Sequence, residues 1–234
     1  MPSYLHVRPA LLATATALLA VALLAGGCLR RPKTQPAAPV EPSARQVVPQ
    51  PVLEAREDAV AIFDHAQAQQ WDHARQRLAG LGAQFEQVIQ TVGANAATLH
   101  LRELGVRLQR DLAGRDVARA MVDANQVAME TIRIESGFLP LVPPELEYLA
   151  YYARELEIWS GAGDLARMGV IAQKMQPVWQ RIRPALEARG GKEHAECFQE
   201  LMGRLIGAPD ARTYGELARQ ARIEVGAMQG RFLP

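Results

Sequence analysis

The chain has 234 residues, of which 49% are hydrophobic, with 26 Lys and Arg set against 25 Asp and Glu. Charges that nearly cancel leave no basic footprint for nucleic acid or for an anionic membrane surface, so no nucleic-acid partner is expected. Setting aside an unusual N-terminal fifth leaves about 185 residues, enough to bury about 70% of their unfolded surface without a disulfide or structural metal.

Residues Met1 to Gly27 open with a short polar stretch containing Arg8, continue through an apolar run from Ala10 to Leu24, and end in Ala25, Gly26 and Gly27 before Cys28. The run is shorter than the roughly 20 residues a spanning helix needs, which points to a secretory signal rather than a retained membrane helix. The segment Leu24-Ala25-Gly26-Gly27-Cys28 resembles the bacterial lipobox, departing from its commonest form in carrying Ala25 three places before the cysteine. The resemblance implies cleavage before Cys28 and acyl chains on Cys28. Each buried CH₂ of those chains contributes about 0.8 kcal/mol, so two or three chains make attachment effectively permanent. In the family that the lipobox resembles, an Asp directly after the cysteine marks inner-membrane retention, so the resemblance, with Leu29 there, implies the outer membrane as the expected address if the organism has one, with the protein facing the periplasm of the cell envelope.

Between Leu29 and Pro51 the chain carries Pro32, Pro36, Pro39, Pro42, Pro49 and Pro51. Such a segment favours polyproline II at about 3.1 Å per residue and reads as a tether reaching up to roughly 70 Å, with no packed core. If Cys28 carries lipid, Cys197 has no disulfide partner. Beside Phe198 and Leu201 it is expected to be a buried thiol.

From Val52 onward, apolar residues return at intervals of three and four, and the expectation is an all-α fold. Eight helices are predicted: Val52 to Gln69, Trp71 to Val92, Asn95 to Leu112, Arg115 to Glu135, Glu145 to Trp159, Asp164 to Ala188, Lys192 to Ile206 and Asp210 to Phe232. The stripe Trp71, Ala74, Leu78, Leu81, Phe85, Val88 and Val92 is repeated about 94 residues later as Leu165, Met168, Ala172, Met175, Trp179, Ile182 and Leu186. In the following helices, Leu101, Leu104 and Leu108 find counterparts in Phe198, Leu201 and Leu205. Likewise Val117, Met121, Ala124 and Ala128 find counterparts in Tyr214, Ala218, Ala221 and Val225. Three consecutive helices in agreement suggest an internal duplication, with repeats at 52–136 and 145–234 forming two related up-and-down four-helix units.

Gly161 and Gly163, the pair Gly190 and Gly191, and the turn Gly207 to Asp210 punctuate the second repeat. No Gly or Pro interrupts Gln67 to Asp72, so the first two helices are separated by analogy with the second repeat alone. Residues 137–144, apolar and proline-rich, read as a rigid packed linker. Pro177 and Pro184 fall inside the sixth helix, where each removes a donor and crowds the preceding turn, so a bend or break is expected near Gln180.

His65, His73, His100 and His194 form no HExxH, CxxCH or repeated Cys/His spacing, and no metal site is expected, even though His194 and Cys197 lie three apart. Met121, Met129, Met168, Met175, Met202 and Met228 could ligate a non-covalent haem within a bundle, but read better as core filling, so no cofactor is expected. Tyr148, Tyr151, Tyr152, Arg154, Glu155 and Trp159 form the densest aromatic and charged cluster. They are candidate binding residues, weighed against plain packing at the junction of the two units. There is no GxSxG elbow, and Glu145, Glu147, Glu155 and Glu157 suit exposed helix surface better than an acid pair.

The stretch Val142-Pro143-Pro144-Glu145-Leu146 through Tyr151-Tyr152-Ala153-Arg154-Glu155-Leu156-Glu157 looks like helical-bundle domains of uncharacterised bacterial lipoproteins, a resemblance that implies the fold and brings no activity. The expectation is a non-enzymatic envelope lipoprotein whose helical module binds another protein or a small ligand. The alternative is a haem or metal carrier using His and Met inside a bundle.

Overall fold

The computed structural model of the protein describes residues 47–233. The signal segment, Cys28 and most of the proline-rich tether lie outside the described residues. The described part is all-α, with eight helices: α1 (Gln50–Gln67), α2 (Trp71–Val92), α3 (Ala96–Ala113), α4 (Val117–Glu135), α5 (Pro144–Ala162), α6 (Leu165–Ala188), α7 (Lys192–Ile206) and α8 (Ala211–Gln229).

Local chemistry explains where these helices begin. Asn95, Asp116, Asp164 and Asp210 each accept the backbone N–H three residues on and so satisfy a donor with no intrahelical partner. The helices α1 and α5 open instead on prolines, which are tolerated in a first turn because the missing N–H would have been unsatisfied there. For this reason the folded part starts earlier than the proline content suggests. Pro49 precedes α1, Pro51 sits in its first turn, and Val48 is already buried in the core. A tether running to Pro51 is therefore too long by several residues.

The turn between α1 and α2 contains no glycine. Gln69 adopts φ 57 there, a left-handed conformation that ends α1 and separates it from α2. In the second half the corresponding punctuation uses glycine where it is needed. Gly163 has φ 72 and Gly190 has φ 77, and a Cβ on Gly191 would lie 2.5 Å from the Leu186 side chain.

The expected break in α6 does not occur. Helix α6 runs without interruption past Pro177 and Pro184, both of which are exposed, as are Gln173 and Gln180 four residues before them. The carbonyls that lose their donors therefore lie on the water-facing side, where solvent satisfies them.

Packing follows the same cyclic order in both halves. Helix α1 packs on α2 and α4, and α3 completes the ring between α2 and α4; likewise α5 packs on α6 and α8, with α7 between those two. Each four-helix unit has its own core. The first is built around Ile62, Phe63, Leu81, Phe85, Leu104 and Leu108, and the second around Leu149, Met175, Trp179, Phe198 and Met202. All six methionines of the described residues are buried in these cores or at the junction.

Helix boundaries repeat as well: 94 residues separate the first residue of α1 from that of α5, of α2 from α6, and of α4 from α8. At this interval Phe85 corresponds to Trp179 and Gly105 to Gln199. Gly105 sits where a Cβ would come 3.0 Å from the Phe85 ring, whereas Gln199 accepts the Trp179 indole N–H at 2.8 Å.

The two units meet chiefly through α4 and α5. The linker between them is only partly packed: Phe138 and Val142 lie against the two cores, whereas Leu139 and Leu141 are exposed. Leu139 and Val47 form an isolated backbone bridge, which ties the entry to α1 against this linker.

Candidate functional site

Helix α5 touches α4, α6 and α8, so it is buried on nearly every side. Polar residues that would face water on an ordinary amphipathic helix are thereby drawn inside, and Glu147 and Glu157 are buried rather than exposed. Their partners come from across the junction. Arg56 of α1 pairs with Glu147 at 2.6 Å and with Glu135 at 3.0 Å. Arg222 of α8 pairs with Glu157 at 2.9 Å and also with Asp64 of α1, while Gln67 donates to Glu157 at 2.8 Å.

Burial raises the carboxyl of Glu135 to about 7 against the opposing Arg56 guanidinium, and Glu147 adds to the rise. Burial likewise raises Glu147, opposed by Arg56 and Arg154. Arg154 is fully buried, and desolvation lowers its guanidinium to about 10 despite Glu147 nearby.

The sequence-predicted cluster on α5 divides between these surroundings. Tyr151 is buried with Met129 and Ile132, its ring set edge-on to Tyr152 at 5.4 Å, and its hydroxyl accepts from Gln126. Tyr148 and Tyr152 are half-buried against the second core. Burial raises both the Tyr151 and the Tyr152 hydroxyl. Glu155 accepts from Asn125 and from the Trp159 indole. Of the six residues, Trp159 alone lines the cleft between α4 and α5; Arg154 lines a separate cleft with Arg56, Glu147 and Arg222, and the other four are set within the packing of α5.

The cleft that Trp159 lines has a volume of about 850 Å³ and opens between the N-terminal half of α4 and the C-terminal half of α5. One wall is Val117, Ala118, Met121 and Val122. The facing wall is Ile158, Trp159 and the end of α5 to Ala162. Arg107, Arg110 and Asp111 from α3 and Arg219 from α8 supply its charged margin together with Arg119 and Asp123. Arg107 pairs with Asp123 at 3.1 Å and Arg110 with Asp111 at 3.1 Å. Burial raises the Asp123 carboxyl above the usual range, partly countered by Arg107 and reinforced by the neighbouring Asp111. Trp159 carries the Arg167 guanidinium 3.7 Å from its ring centroid, which leaves the indole as a braced wall.

The histidines lie away from this cleft. His65 stacks on His73 at 5.3 Å and contacts Gln70 at 2.9 Å. His100 contacts Glu130 at 3.0 Å, and His194 contacts Glu224 at 2.6 Å. None of the four is among the buried core residues, and among the described residues no group of three or more His, Cys, Asp or Glu is arranged to hold a metal ion. Cys197 is exposed rather than packed, because the residue next to it, Phe198, takes the core-facing position on α7. Burial and the neighbouring Glu224 raise its thiol, which favours the protonated form.

The chain matches none of the protein-family models, curated proteins or solved structures with which it was compared. No helix of the described residues is long and apolar enough to cross a membrane. The junction and its cleft left a trace in the sequence. Apolar residues encircle α5 at Leu146, Leu149, Ala150, Tyr151, Ala153, Leu156 and Ile158, a pattern that marks a helix covered on all sides. Asp111 and Asp123, by contrast, carried no signal, because their proximity depends on how α3 and α4 pack.

Proposed function

We propose that the chain is a lipid-anchored protein of the cell envelope, held through acyl chains on Cys28, whose helical domain acts as a non-enzymatic binding module. The observation that carries the binding role is the 850 Å³ cleft between α4 and α5, with apolar walls and a few converging charged groups. Its size lies within the about 300–1,000 Å³ of small-molecule sites, and its mixed lining fits such a site better than a flat protein interface. The N-terminal segment supports the address: a signal-like run, a lipobox-like ending and a proline-rich connection to the domain.

Two measurements test the two halves of this reading. Intact mass and membrane fractionation of the wild-type chain beside Cys28→Ser should show a lipid-sized addition and membrane attachment in the former alone. An unmodified full-length mass in wild type would remove the anchor. For the module, Ala118→Trp should fill the cleft from an exposed position and abolish saturable small-molecule binding seen as a thermal shift in wild type, without loss of helix content. A Soret band on haem titration, or stoichiometric bound metal lost on replacing the histidines, would favour the carrier reading instead.

A further inference from the structure

We propose that the α4–α5 cleft takes an anionic amphiphile, a molecule with a single carboxylate head and an extended apolar body. This rests on the reading of the cleft as a ligand site and adds the ligand's chemical class.

The apolar walls come first. Val117, Met121 and Val122 on α4 face Ile158 and Trp159 on α5, a surface suited to an aliphatic chain. Charge at the margin then selects the head group. Four arginines line the cleft, at 107, 110, 119 and 219, against three carboxylates, at Asp111, Asp123 and Glu157. Glu157 is already engaged by Arg222 and Gln67. Asp123 is paired with Arg107 at 3.1 Å and Asp111 with Arg110 at 3.1 Å, so neither carboxylate stands against the remaining two arginines of the margin. The cleft is therefore positive on balance.

Two donors are poised to use that charge. The Nε–H of Arg107 is buried without an acceptor among the described residues, although its Nη2 is 3.1 Å from Asp123. Unlike Arg222 on the same helix, Arg219 is exposed and forms no ion pair among the described residues. A buried donor without a partner costs free energy, which a bound carboxylate would recover. The amino end of α4 and the carboxyl end of α5 both reach the cleft, so their backbone dipoles offset each other and the side chains decide the sign.

The test uses the full chain, purified from membranes in mild detergent, and three photoreactive probes sharing one ten-carbon diazirine chain but ending in carboxylate, alcohol or amine. Cross-linked peptides are mapped by mass spectrometry. The expected result is saturable labelling by the carboxylate probe at Met121 to Asp123 or Ile158 to Ala162, with the alcohol and amine much weaker. Arg219→Ala should raise the half-saturating concentration about tenfold. Arg107→Lys, which keeps the charge beside Asp123 but removes the Nε–H, should weaken labelling in the same direction, and both variants should retain wild-type helix content. Equal labelling of the cleft by all three probes would overturn the anionic assignment and leave the cleft a binding site. Absence of saturable labelling there by any probe would overturn both.

Discussion

Arg154 of α5 donates its Nε–H to Oδ1 of Asn125 on α4 at 2.7 Å, with both side chains buried at the junction of the two four-helix units. Asn125 in turn donates to the backbone carbonyl of Tyr151, so one amide joins a guanidinium to the helix that carries it. Removing either partner leaves a buried polar group unsatisfied. Asn125→Ala should lower unfolding stability by about 2–3 kcal/mol in chemical denaturation. A double-mutant cycle with Arg154→Met should show the double variant recovering part of that loss; strict additivity would mean the contact carries no coupling.

Glu135 gives the junction a pH dependence of defined sign. Its carboxyl stands at about 7 in the folded protein against 4.5 ordinarily, owing to burial opposed by Arg56 and reinforced by Glu147. A group that binds its proton more tightly when folded favours the folded state at low pH. Its penalty is absent below about 4.5, grows between 4.5 and 7, and is complete above 7. Glu147, also raised by burial, acts in the same direction. Thermal melts of wild type and Glu135→Gln at pH 5.5 and 8 should differ: the variant should gain a few degrees at pH 8 relative to wild type, and little at pH 5.5. An equal gain at both would exclude titration of Glu135 as the cause.

Pro177 and Pro184 sit on the exposed side of an unbroken α6. Replacing either by Ala would restore a helical hydrogen bond without disturbing the core. Each substitution should therefore stabilise the protein, by about 1–3 kcal/mol, read as a shift in denaturation midpoint. A destabilised Pro177→Ala would mean that α6 depends on a distortion at that proline.

His100 and His194 stand 94 residues apart, as do their carboxylate partners Glu130 and Glu224. The same interval relates the starts of three helix pairs. Superposing the two halves of an experimental structure should place His100 on His194, Phe85 on Trp179, and Leu104 on Phe198 rather than on Leu201. The heptad-like pattern of α3 and α7 allows either partner for Leu104, because residues three apart share a face; the histidine contacts distinguish them.

Helix number and nearly every helix boundary were legible in the sequence, since periodic apolar residues and the glycines that punctuate the second half are local signals. The separation of α1 from α2 was legible only by analogy, because Gln69 makes the turn without glycine. The earlier start of α1 and the exposure of Cys197 depended on which side of a helix meets a neighbour.

What the sequence by itself determined is thus the all-α class and the two sets of four amphipathic helices, both of which follow from residues close together along the chain. Tertiary structure decided the rest. It buried Glu147, Glu157 and Arg154 by enclosing α5, brought Asp111 near Asp123, and left a cleft between α4 and α5. The physical reason is that burial and charge pairing are properties of a helix's neighbours, and nothing along the chain marks which helices become neighbours across a junction.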